Sequence, residues 1–134
     1  MSTFALLSFV ASAVFASLAT FTLARGPSVP ARRMGILSVL LALNSLANGA
    51  TMAAPDAVVA DAWNRVGVFT WGVIVPLQLL VLLGLTRWRM PGSRRWLAIV
   101  FLPAATVMTA VLTGEAISPD RMLRTSQGWA WDLV

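Results

Sequence analysis

The chain contains no cysteine, no histidine and no lysine. Without cysteine there is no disulfide and no thiolate chemistry. Without histidine, imidazole-ligated haem and nearly all zinc sites fall away. Charge of any kind is scarce: 11% of the 134 residues are charged, against about 25% in an ordinary soluble domain. Hydrophobic residues make up 58%. Too little polar surface remains to cover a water-soluble globule, so much of the chain is expected to be solvated by lipid.

What is present instead is four apolar runs: Phe4 to Ala24, Met34 to Ala54, Val66 to Thr86 and Trp96 to Thr113. None holds an acid or a base. A helix crosses ~30 Å of hydrocarbon with roughly 17–25 such residues. The first run lacks the basic leader of a secretory signal, since only Met1, Ser2 and Thr3 precede it. It is read as a retained helix. The expected fold is an all-α integral membrane protein. Its single membrane domain is an antiparallel up-down bundle of four transmembrane helices over residues 4–24, 34–54, 66–86 and 96–113, with an interfacial tail over 114–134.

Placement of charge sets the expected orientation. The segments after the first and third runs hold Arg25, Arg32, Arg33, Arg87, Arg89, Arg94 and Arg95 and no acid. The opposite side holds Arg65, Arg121 and Arg124 with all five acids: Asp56, Asp61, Glu115, Asp120 and Asp132. Basic residues in short loops stay cytoplasmic, so both termini are expected outside. The net charge of +5 is then explained by anionic headgroups rather than nucleic acid.

Within the apolar runs there is no carboxylate to carry a proton, which argues against a proton-coupled transporter acting alone. Neutral polar groups remain. Asn44, Asn48 and Thr51 share one helical face. They read either as interhelical glue, at about 0.6–2 kcal/mol per bond, or as a polar pocket; glue is the preferred reading. Ser8, Ser12 and Ala16 form a small-xxx-small row that permits close approach. Pro76, with Gln78 beside it, and Pro103, followed by Thr106, Thr109 and Thr113, mark kinks or hinges. Gln78 or Asn44 is the expected partner for the carbonyl that Pro76 frees. Trp63 and Arg65, then Trp129 and Trp131, suit membrane interfaces. Ser118, Pro119 and Asp120 read as the start of a helix. The outer acids are expected to be solvated.

The order of these features resembles a known family. An arginine loop, a helix and a short acidic loop lead to Trp63-x-Arg65-x-Gly67 with Pro76 following. A second arginine loop and a helix bearing Leu102-Pro103 come after. This is similar to the front four helices of the seven-helix sensory region that precedes bacterial histidine kinases and some diguanylate cyclases. The resemblance implies a multi-pass protein of the bacterial inner (plasma) membrane and a non-catalytic sensory input, truncated or split from its output domain. No enzyme and no cofactor is expected, because no pair of catalytic residues can be assembled within the apolar runs. Its partners would be the bilayer and other transmembrane helices, in a homo-oligomer or a separate signalling chain, with any small-molecule ligand unidentified. The sequence departs from that pattern where the family often carries an Asn and a His after the fourth helix, here "TGEAISPDRM". No kinase or cyclase motif is present. The alternative reading is a self-contained oligomeric transporter or channel lined by Asn44, Asn48, Thr51 and Gln78, or an accessory subunit of a membrane complex.

The absence of native cysteine makes the orientation directly testable. An Asp56→Cys variant is expected to react with a membrane-impermeant maleimide in intact cells, and a Ser28→Cys variant only after lysis. The reverse pattern overturns the orientation.

Overall fold

Polar side chains set where the first three helices begin. The computed structural model describes residues 2–25, 28–85, 94–113 and 122–131. In it Ser2 Oγ accepts the Ala5 N–H at 3.2 Å and starts α1 (Thr3–Ala24). Ser28 Oγ accepts from Ala31 at 3.3 Å and starts α2 (Val29–Ala53), with a proline in its first turn. Asp56 Oδ1 accepts from Val59 at 2.9 Å and starts α3 (Ala57–Leu85). Such caps contribute about 0.5–2 kcal/mol each. The last helix, α4, spans Arg94–Leu112.

Two helices therefore start earlier than hydropathy suggests. α2 begins at Val29 rather than Met34, and α3 at Ala57 rather than Val66. The expected acidic loop is helical from Ala57 onward, leaving Ala54, Pro55 and Asp56 as the connection. The apolar run records where charged residues stop, whereas the cap records where the helix begins. Arg32, Arg33, Asp61 and Arg65 are consequently helix residues.

Small residues at every seventh position join α1 to α2. Ala5, Ser12 and Ala19 on α1 and Gly35, Ala42 and Gly49 on α2 fall at this spacing, and Ala5, Ala19, Gly35 and Gly49 are buried. Ser12 Oγ donates to the Ala42 carbonyl at 2.9 Å. A Cβ on Gly49 would lie 3.0 Å from the Phe9 ring, and one on Gly35 would collide with Leu23. These pairs run in opposite senses along the two helices, so the helices are antiparallel. Between α2 and α3 the seam is larger, built on Leu37, Ile74 and Val81 with Met34, Leu40, Leu41 and Leu77 around them. Against α4, Gly72 of α3 lets Met108 approach, a Cβ there lying 3.1 Å from its Cγ. Each helix thus packs antiparallel on its predecessor.

Side-chain size is distributed inside out. The largest fully buried side chains are Ile74, Thr70 and Ser38, whereas Leu7, Val14, Leu82 and Leu102 are each about 60% exposed or more. Exposed hydroxyls on Ser17, Thr20, Thr106 and Thr109 bond back to the carbonyl four residues earlier, at 2.8–3.0 Å. These four groups therefore present no open donor toward lipid. α1, α2 and α3 are long and apolar enough to cross a membrane; α4 has a shorter apolar segment, Ala98–Val111.

The tail differs from expectation. Ser118, Pro119 and Asp120 lie outside the described residues. Beyond them the chain forms a two-stranded antiparallel hairpin, β1 (Met122–Thr125) and β2 (Gly128–Trp131). In β1 Met122 is buried while Leu123, Arg124 and Thr125 are exposed. Met122 packs with Ala54, Ala57, Ala60 and Trp129, and the Trp129 indole N–H donates to the Ala54 carbonyl at 2.9 Å. Ser2 and Met52 share a hollow with the hairpin. The start of α1 and the hairpin are therefore at the same end of the bundle.

Gly128 is the strict position in this dock. Its φ is +132°, and a Cβ there would lie 2.6 Å from the Met52 carbonyl oxygen. Gly128→Ala is expected to release the hairpin. Hydrogen exchange at 122–131 should rise by about tenfold or more, while α1 and α2 keep their protection. Unchanged exchange in the hairpin contradicts this docking.

Candidate functional site

The α2–α3 seam thins where Gly67 faces Ala47, and a polar cleft forms at that level. It has a volume of about 350 Å³ and is lined by Asn44, Asn48, Asn64, Gly67, Val68 and Trp71. These include all three asparagines of the chain. Asn44 faces inward: Thr70 Oγ1, on a side chain 1% exposed, donates to Asn44 Oδ1 at 3.1 Å. The same hydroxyl reaches its own helix at the Gly67 carbonyl, 2.8 Å away. Asn48 is exposed and its oxygen hangs over Gly67, where a Cβ would lie 3.6 Å from it. Asn64 carries a buried Nδ2 with no hydrogen-bond partner among the described residues. An open buried donor of this kind costs about 1–3 kcal/mol.

One residue beyond Asn64 sits a second polar feature. Arg65 Nε donates to Asp61 Oδ2 at 2.8 Å, one turn back on α3. Its Nη1 donates to the Val111 carbonyl at 2.9 Å. Val111 lies in the last turn of α4, whose carbonyls have no donor within the helix. A guanidinium placed there also opposes the negative end of the helix dipole. Arg65 is thus more than an interfacial anchor; it joins α3 to α4. Asp61 is 5% exposed, so the expectation that the acids outside the apolar runs are solvated fails at this position. The acid is buried because the helix that presents it starts at Ala57.

The other residues singled out from the sequence are dispersed. Thr51 is buried, its hydroxyl bonded to the Ala47 carbonyl at 2.9 Å, and lines no part of the cleft. Gln78 is exposed, seven residues beyond Trp71 on the same face of α3, and lies outside the cleft. Pro76 is buried within α3 and Pro103 is exposed within α4. Trp63 is half-buried on α3. Trp129 serves the hairpin dock, and the Trp131 side chain lies outside the described residues. Sequence reasoning missed Asn64, Thr70 and Trp71. Asn64 and Trp71 share a face at heptad spacing, a signal hidden once α3 was taken to begin at Val66. No three carboxylates gather into a metal site among the described residues.

Comparison with protein families, with characterised proteins and with solved structures finds no match. The class therefore rests on the fold: three helices are long and apolar enough to cross a membrane, and large apolar side chains face outward, which is consistent with a helical membrane protein.

The cleft separates the two readings of its asparagines. Asn44→Leu is expected to lower stability in detergent by about 0.6–1.7 kcal/mol through loss of the Thr70 bond. Asn48→Leu is expected to stay within about 0.5 kcal/mol of the parent. Equal losses at the two positions contradict these separate roles.

Proposed function

We propose that the protein is a non-catalytic sensory input module of the bacterial inner membrane. In this reading it crosses the bilayer four times with both termini outside, and it resembles the front half of the seven-helix sensory region of histidine kinases. The observation that carries the reading is the adjacency of Asn64 and Arg65. Asn64 lines the amide cleft. Arg65 holds the last turn of α4. A change in the cleft therefore acts one residue away from the link that positions the next helix.

The chemistry of the cleft supports recognition over catalysis. Its polar groups are amides, which neither titrate nor attack a substrate at neutral pH. The nearby carboxylate of Asp61 is engaged by Arg65. Further transmembrane helices are the proposed recipients of the signal, and anionic lipid holds the arginine-rich side.

A second reading, an oligomeric channel, draws on the exposure of Asn48 and Gln78 along the bundle surface. One experiment separates the two. Trp71→Ala in the cleft is expected to raise hydrogen exchange at 105–113 several-fold in the parent but not in an Arg65→Leu background. Proteoliposomes of the parent are expected to show no ion flux. A flux abolished by Asn48→Leu, with exchange in α4 unmoved by Trp71→Ala, overturns the sensory reading.

A further inference from the structure

Three places carry unassigned polar chemistry. The hollow under the hairpin is lined by exposed groups such as Arg124, whose guanidinium stacks 6.0 Å from the Trp129 ring. The face of α4 bearing Thr106, Thr109 and Thr113 has its hydroxyls bonded to its own carbonyls. The cleft between α2 and α3 differs from both, because Asn64 in its wall carries a buried amide donor without a partner among the described residues.

That open capacity is of two kinds. Asn64 Nδ2 is a buried donor without a partner among the described residues. It needs an acceptor. Asn48 Oδ1 is an acceptor over Gly67, next to the space where a side chain would otherwise be. It needs a donor. Asn64 and Gly67 are one turn apart on α3, so the two groups face one small region. The remaining walls are apolar and aromatic, Val68 and Trp71. Among the described residues, no charged side chain lines the cleft. A charged ligand would lose its hydration there with no counter-charge, which disfavours it strongly.

We propose that this cleft binds a small neutral molecule whose polar end both donates and accepts one hydrogen bond, a primary amide or an alcohol, with a short apolar body against Trp71. The proposal names the ligand class for the sensory reading and rests on that reading only for the consequence of binding. The acceptor oxygen of the ligand takes the N–H of Asn64, which turns about χ2 to meet it. The ligand N–H or O–H donates to Asn48 Oδ1. A volume of about 350 Å³ holds a molecule of this size. Asn44 stays committed to Thr70 and holds the wall.

The three asparagines make the test direct, because selective ¹⁵N-asparagine labelling gives three side-chain amides and all three are in the cleft. The full chain in detergent micelles is titrated with hexanamide, with N,N-dimethylhexanamide, which can accept but not donate, and with heptane. Hexanamide is expected to shift the Asn64 and Asn48 amide signals saturably. The dimethyl compound is expected to bind about tenfold more weakly, a loss of ~1.4 kcal/mol. Asn64→Leu is expected to abolish saturation while leaving the Asn44 signal in place, which shows that the variant is folded. Equal, non-saturating shifts from hexanamide and heptane, or binding unaffected by Asn64→Leu, overturn the proposal. Saturable binding with no change in exchange at 105–113 leaves the site standing and removes the sensory reading instead.

Discussion

The attachment of α4 to the bundle depends on one guanidinium. Arg65 neutralises Asp61 and satisfies the Val111 carbonyl with separate N–H groups of one planar fork. Each partner would be expensive without it. Asp61 is a buried carboxylate, and its Oδ1 has no bond among the described residues. Val111 presents a carbonyl of a helix end, which hydrocarbon cannot hydrate. Lysine in place of Arg65 would bring charge but not the fork, so the two acceptors could not be held in the same geometry. The approach of Gly72 to Met108 adds a further contact with α4, but one without polar content.

The rest of the bundle is assembled by a different force. Lipid is as apolar as leucine, so burying large side chains gains little, and helices associate where backbones can approach. The α1–α2 seam meets that condition with a small residue every seventh position on both helices. A hydroxyl within it, that of Ser12, bonds across to Ala42. A period of seven keeps that stripe facing one partner along the whole helix. The α2–α3 seam carries larger side chains and pairs Asn44 with Thr70. Where it thins at Gly67, the amide cleft opens. Packing and the candidate site are therefore one feature: the glycine that lets the helices come close leaves the room that the asparagines line.

Much of this was legible in the residues, and the gaps have physical causes. Uncharged runs located the helices, and the expected up-down order made neighbours antiparallel. Of the row Ser8, Ser12 and Ala16, Ser12 bonds across to α2 while Ala16 is exposed, because the buried stripe of α1 follows Ala5, Ser12 and Ala19 instead. Asn44 announced an interhelical bond, though its partner Thr70 gave no sign of burial. Helix starts were misplaced because the apolar run reports where charged residues stop, while Ser28 and Asp56 report the cap; both are N-cap residues with a proline adjacent or one residue inside. That one error concealed the most consequential features. Asn64 and Arg65 were assigned to a loop, so neither the cleft nor the link to Val111 could be assembled. The hairpin was hidden for another reason. A four-residue strand with one buried position, Met122, carries little periodic signal, and its docking depends on Gly128 meeting Met52 far away in the sequence.

The central claim is that Arg65 couples α3 to α4 through Asp61 and Val111, and a double-mutant cycle on the Asp61–Arg65 pair measures it most directly. The account predicts that Arg65→Leu, which strands a buried carboxylate, destabilises the protein more than the Asp61→Leu/Arg65→Leu double variant does. The coupling energy should exceed ~1 kcal/mol. Exchange in the last turn of α4 should rise in both variants, because both lose the bond to the Val111 carbonyl. Losses that add within ~0.5 kcal/mol, with α4 protected as in the parent, would contradict it.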